Sequence, residues 1–196
     1  MVLYRSFIAL ELTEASRNQL AELADTHQAQ DKHSEISWPD IENYHVTLAF
    51  LGDQLSSDLD RLAEELSFTT RLNADLQLSA NELSYFPYHS RPKSLAIMLE
   101  LDAALKQIKN YTDQTLRNSG INYDKRKFIP HITLGRIRGR KLPNLIIPPR
   151  YIDITLSCAS LTLFRSERHS DGAIYTPIFR IPSNLEGLDG FDDTWA

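Results

Sequence analysis

His45-Val46-Thr47-Leu48 recurs, with one conservative change, as His131-Ile132-Thr133-Leu134. Side chains alternate between the two faces of a strand, so each stretch puts an imidazole and a hydroxyl on one face and two aliphatic residues on the other. One face is built to sit in a core and the other to do chemistry. Working outward, the surroundings also repeat. Ile8-Ala-Leu-Glu-Leu12 resembles Ile97-Met-Leu-Glu-Leu101, and each leads into a helical pattern and then into its His-x-Thr-Leu strand. Farther on, Leu76-Gln-Leu-Ser-Ala-Asn-Glu-Leu-Ser-Tyr-Phe86 resembles Ile154-Thr-Leu-Ser-Cys-Ala-Ser-Leu-Thr-Leu-Phe164. Three likenesses in the same order describe a diverged duplication.

Periodicity predicts the elements. Strands are expected over 4–12, 45–51, 72–86, 94–101, 131–137, 151–164 and 173–181, and helices over 14–28, 57–66 and 103–117. Thr13 is a natural N-cap for the first helix, Gly52-Asp53 reads as a turn, and Asn118-Ser119-Gly120 closes the third helix. The expected fold class is α+β: two pseudo-symmetric αβ lobes with antiparallel sheets, related by an axis that faces the two histidine strands toward a central cleft. Residues 1–184 are expected to form this single bilobal domain. Residues 185–196, rich in acids and without a basic residue, are read as a mobile tail.

The chain has 196 residues, 42% hydrophobic and 24% charged, with a net charge of −5. That composition fits an ordinary water-soluble core and excludes a general polyanion binder. No apolar run spans a bilayer and residues 1–12 read as an opening strand rather than a secretory leader, so a cytoplasmic location is expected. The single cysteine, Cys158, excludes an internal disulfide and a cysteine-rich zinc site, and its apolar setting marks a buried thiol. Basic charge is local: Lys125, Arg126, Lys127, Arg136, Arg138, Arg140 and Lys141 fall in one stretch without an Asp or Glu, and that stretch contains His131. His27, His33 and His89 are read as surface residues and His169 as a loop residue.

Histidine titrates near neutrality, so a matched pair suits a reaction needing both a proton acceptor and a proton donor. Opening a cyclic phosphodiester with water is such a reaction, and Thr47 and Thr133 can donate to the non-bridging phosphate oxygens. A metal site fits poorly: the histidines lack helical i, i+4 spacing, and no carboxylate recurs beside them. No metal or other cofactor is expected.

At these residues the chain resembles the 2H phosphoesterase superfamily, marked by paired His-x-Thr-x motifs. It is most similar to the bacterial and archaeal RNA 2′,3′-cyclic phosphodiesterases, once called 2′-5′ RNA ligases. Phe7-Ile-Ala-Leu-Glu-Leu12 resembles that family's opening strand. Asn43-Tyr-His-Val-Thr-Leu-Ala-Phe-Leu-Gly52 and Phe128-Ile-Pro-His-Ile-Thr-Leu-Gly-Arg136 resemble its two motifs, and Leu161-Thr-Leu-Phe164 and Tyr175-Thr-Pro177 its closing strands. The resemblance implies hydrolysis of an RNA-terminal 2′,3′-cyclic phosphate to a 2′-phosphate, with His45 as proton donor and His131 as proton acceptor. It implies phosphate contacts from Thr47, Thr133 and Arg136, although Arg136 has the wrong parity for the histidine face of an ideal strand. Phe50 and Tyr175 are candidates for a nucleotide pocket, with core packing the competing role for Phe50. The expected partner is RNA with a cyclic-phosphate end, and the expected state is a monomer. Rival readings are a 2′-5′ RNA ligase, a phosphodiesterase for small cyclic nucleotides or ADP-ribose cyclic phosphate, and a non-catalytic RNA-end-binding module.

Overall fold

The structure, a computed structural model, describes residues 2–67, 76–88, 91–139, 143–145, 147–169 and 172–183. Its strands are β1 (Leu3–Leu12), β2 (Ile36–Ser37), β3 (His45–Leu55), β4 (Gln77–Phe86), β5 (Ser94–Leu99), β6 (His131–Ile137), β7 (Arg150–His169) and β8 (Gly172–Pro182). Its helices are α1 (Glu14–Gln28), α2 (Ser56–Ser67) and α3 (Ala103–Asn118). The helices form where the sequence supplies a cap and an apolar stripe. Thr13 accepts from the Ser16 amide and Asp102 from the Leu105 amide. Leu59, Leu62 and Leu66 of α2 are buried on one face. Gly120, in the left-handed region at φ 68°, ends the third helix after Ser119.

The fold is α+β and bilobal. In one lobe β1 lies between β3 and the second half of β7, with β8 outside; in the other, β5 lies between β6 and β4, and β4 pairs with the first half of β7. All of these pairings are antiparallel. The long β7 therefore belongs to both lobes: β4 pairs with 150–157 on one edge and β1 with 158–166 on the other. The lobes meet again where Val46 of β3 pairs with Ile132 of β6.

Strand register corrects the internal alignment by two residues. Val46 faces Leu10 across β1–β3, and Leu10 faces Leu161; Ile132 faces Ile97 across β5–β6, and Ile97 faces Leu83. The equivalent of Ile97 is thus Leu10, not Ile8. A two-residue slip preserves which face each side chain takes, so the apolar pattern alone does not expose it. The lobes also share a β-bulge. Thr47 pairs with Ala9 and Ala49 with Ile8, leaving Leu48 extra; Thr133 pairs with Ala96 and Gly135 with Leu95, leaving Leu134 extra.

Gly52-Asp53 is not a turn. β3 continues to Leu55, and Gly52 (φ 70°) follows a second irregularity within the strand. The large core holds Ile8, Leu10, Leu12, Val46, Leu48, Ile97, Ile132 and Leu134, with helix residues such as Leu20, Leu62 and Leu116. A separate small cluster, Phe7, Ala9 and Phe164 with Tyr175 against it, lies on the opposite face of the first lobe's sheet. Cys158 is buried, and burial pushes its thiol up to about 12. No described helix is long and apolar enough to cross a membrane. His33 and His169 are exposed; His27 is half-buried, with both ring nitrogens turned from solvent. His89, Arg140, Lys141 and the acidic segment 185–196 lie outside the described residues.

Candidate active site

The single Val46–Ile132 pair sets the geometry of the site. Because β3 and β6 run antiparallel there, His45 lies abreast of Thr133 and Thr47 abreast of His131. The four residues form a two-fold array about the pair, with Val46 and Ile132 fully buried behind it. Adjacent strands place facing Cβ atoms about 5 Å apart. That spacing leaves the two imidazoles on either side of a small central gap.

Both imidazoles are held the same way. His45 Nδ1 lies 2.7 Å from the Asn43 carbonyl oxygen, and His131 Nδ1 lies 2.8 Å from the Ile129 carbonyl oxygen. A carbonyl can only accept, so Nδ1 carries the hydrogen in each ring and Nε2 is left with a free lone pair. His45 Nε2 lies 3.1 Å from Thr47 Oγ1, which donates to it in the neutral ring. Each ring rests against phenylalanine: Phe7 at 5.1 Å from His45 and Phe86 at 4.3 Å from His131, centroid to centroid.

Burial lowers the pKa of both histidines. His45 falls to about 4: desolvation dominates, the Asn43 bond opposes it, Arg136 and His131 add to the fall, and Glu11 resists it. His131 is lowered by desolvation, with the Ile129 bond opposing and Arg136 reinforcing. Both rings are neutral at pH 7. An anionic phosphate between them reverses the balance, since a negative charge favours the protonated ring.

The shared bulge explains the parity of Arg136. Beyond the extra residue Leu134 the strand's faces exchange, so Arg136, opposite Ser94, shares a face with Thr133 and His131. Its guanidinium acts on both histidines and makes no ion pair among the described residues. Phe50 occupies the equivalent place in the first lobe. It faces the cleft, 49% exposed and 6.2 Å from the Phe7 ring, so core packing is excluded. Tyr175 stands edge-on to His45 at 5.3 Å.

Sequence reasoning missed four residues on the His45 side. Glu11, directly across from His45 on β1, accepts from Ser160, Thr162 and Arg180. Glu11 and Arg180 help wall a cavity of about 160 Å³ beside His45, with Arg17, Glu42, Phe164 and Tyr175. The alternation Phe7, Ala9, Glu11 carried the signal: a charge at a face-sharing position inside an apolar strand. Among the described residues no His, Cys, Asp and Glu cluster could hold a metal ion.

The sequence matches the profile described as LigT-like phosphoesterase twice, over residues 10–96 and 95–175. The chain belongs to the LigT-like phosphoesterase family. The two matches to this family follow the two halves of the internal repeat, which exchange strands between the lobes. A relative from Methanothermobacter thermautotrophicus, named RNA 2′,3′-cyclic phosphodiesterase, is 26% identical over 184 residues, covering 90% of this chain and 98% of its own. A Thermotoga maritima protein of the same name is 24% identical, covering 89% of this chain and 93% of its own. Among solved structures, a Thermus thermophilus protein superposes with a TM-score of 0.73 at 25% identity, over 91% of this chain and 97% of that one. Escherichia coli LigT complexed with 3′-AMP also gives 0.73, at 24% identity, over 92% of this chain and 98% of that one, and shows the shared fold.

Proposed function

We propose that this phosphoesterase hydrolyses RNA-terminal 2′,3′-cyclic phosphates to 2′-phosphomonoesters by metal-independent acid–base catalysis. The observation that carries the reading is the matched pair of imidazoles, each with Nδ1–H tied to a carbonyl so that Nε2 is free, with the Thr47 hydroxyl beside that of His45. The relatives' shared name, over nearly their whole lengths, supports the substrate class.

In this reading His131 Nε2 takes a proton from water as its oxygen bonds to phosphorus. His45 Nε2, protonated once the anionic phosphate is bound, gives its proton to the departing 3′ oxygen as the P–O3′ bond breaks. Thr47, Thr133 and Arg136 donate to the non-bridging oxygens. Phe50 and Tyr175 offer ring faces to the terminal nucleoside. The exposed side chains of Lys125, Lys127, Arg136 and Arg138 supply charge for the RNA backbone on the His131 side. The protein is proposed to act as a cytoplasmic monomer without a cofactor.

The decisive measurement is incubation with an oligonucleotide ending in a 2′,3′-cyclic phosphate, followed by identification of the phosphate position. A 2′-phosphate product, undiminished by EDTA, is expected. A 3′-phosphate product or EDTA-sensitive turnover would overturn the reading.

A further inference from the structure

The two halves of the cleft are alike in backbone and unlike in charge. Register places Glu11 where the second lobe has Met98, and Phe50 where it has Arg136. The first lobe thus supplies the carboxylate and the second the guanidinium.

Glu11 is built in rather than merely present. Ser160 Oγ donates to its Oε2 at 2.6 Å, and Thr162 Oγ1 donates to the same oxygen. Arg180 donates from Nε to Oε2 at 2.8 Å and from Nη2 to Oε1 at 3.2 Å. Both hydroxyl residues are buried. Burial alone would raise the carboxyl's pKa, but the bonds from Arg180, Ser160 and Thr162 bring it below the ordinary value, so it stays ionised. A carboxylate gripped by these donors cannot swing away. It contributes a fixed negative charge directly across the strand pair from His45.

The groups facing His45 are few. Glu11 comes from β1, Arg136 and His131 from β6, and Tyr175 and Arg180 from β8; Arg17 of α1 and Glu42 line the same cavity. Glu42 is 69% exposed and paired with Arg17 at 3.1 Å. Arg180 is 54% exposed against 19% for Glu11, so solvent screens the guanidinium more than the carboxylate. No carboxylate occupies the corresponding place beside His131. Glu82 lies one strand farther away, opposite Met98 and bonded to the Tyr88 hydroxyl.

We propose that Glu11 is a positioning residue for the reaction: its fixed carboxylate favours the protonated form of His45 and makes the first lobe the proton-donating half of a near-symmetric cleft. This rests on the acid–base reading above. Arg180 is the counterweight, grading how much of that charge His45 feels.

Two variants pull in opposite directions. Removing the charge with Glu11→Gln should move the His45 ring titration to lower pH. Removing the counter-charge with Arg180→Gln should move it to higher pH. His131, across the cleft, should move less in both. Site-resolved NMR titration of the two imidazoles in the full-length protein reads this directly. Activity should follow: kcat/KM near neutral pH falls about 10- to 100-fold in Glu11→Gln, part of the general-acid contribution. Glu11→Asp should restore the His45 titration toward wild type. Loss of packing alone would move His45 the same way in both Gln variants, and that result, or no movement in either, overturns the proposal. The underlying reading fails separately, if His45→Ala itself turns over substrate at the wild-type rate.

Discussion

A carbonyl oxygen accepts and never donates, so Asn43 and Ile129 each dictate which imidazole nitrogen beside them carries hydrogen. That constraint leaves two basic Nε2 atoms facing one gap. His45→Ala and His131→Ala should each lower kcat by about 10²- to 10⁴-fold on a cyclic-phosphate-ended oligonucleotide, with unchanged circular dichroism. Wild-type turnover by either variant would refute the acid–base pair. The same burial has a consequence for stability. Folded His45 titrates at about 4, whereas an unperturbed histidine takes up a proton near 6.5. Between those values the unfolded chain binds more protons, so the contribution is complete above pH 6.5 and is lost as pH falls toward 4. His131 and His27 shift in the same direction. His45→Gln should therefore gain on the wild type in thermal unfolding as pH drops from 7 to 4.5; a constant difference in Tm would contradict the shift.

At the scale of elements, the bulge after each threonine is the feature that matters. It turns Phe50 and Arg136 onto the face of the histidines, where an unbroken strand would have buried them. Gly135 sits in the second bulge because its neighbours leave no room: a Cβ there would meet Ile36 Cγ2 at 2.4 Å and the Trp38 ring at 3.4 Å. Asp31 anchors that neighbourhood by accepting from the Glu35 and Ile36 amides and from Trp38 Nε1. Gly135→Ala should cost about 1–3 kcal/mol by overpacking, measured by denaturant unfolding, and should displace Arg136. Arg136→Leu leaves the backbone alone. It should raise KM about tenfold or more through loss of a charge-assisted phosphate contact. An Arg136→Leu enzyme with unchanged KM would remove Arg136 from phosphate binding.

At the scale of the molecule, one long strand joins two repeats and one residue pair brings their histidines together. The repeats share a backbone but not a surface, and Lys125, Lys127, Arg136 and Arg138 are exposed in β6 and the segments flanking it. Raising salt should lower kcat/KM far more for an oligonucleotide than for a nucleoside 2′,3′-cyclic phosphate, because only the former releases counterions along a basic track. Lys125→Glu with Lys127→Glu should flatten that salt dependence while sparing the mononucleotide reaction. Equal salt slopes for both substrates would exclude the track.

Much of this was legible in the chain itself. Period-two alternation separates the faces of His45-Val46-Thr47-Leu48 and its partner, and the repeat implies two lobes, because both are local regularities that survive in one dimension. The tertiary structure decided what depends on pairing across strands. It set the two-residue correction between Leu10 and Ile97, the continuation of β3 through Gly52, the bulges that aim Phe50 and Arg136, and the seat of Glu11 opposite His45. Register and bulges arise from hydrogen bonds between distant segments, and a pattern that repeats every two residues looks the same after a slip of two.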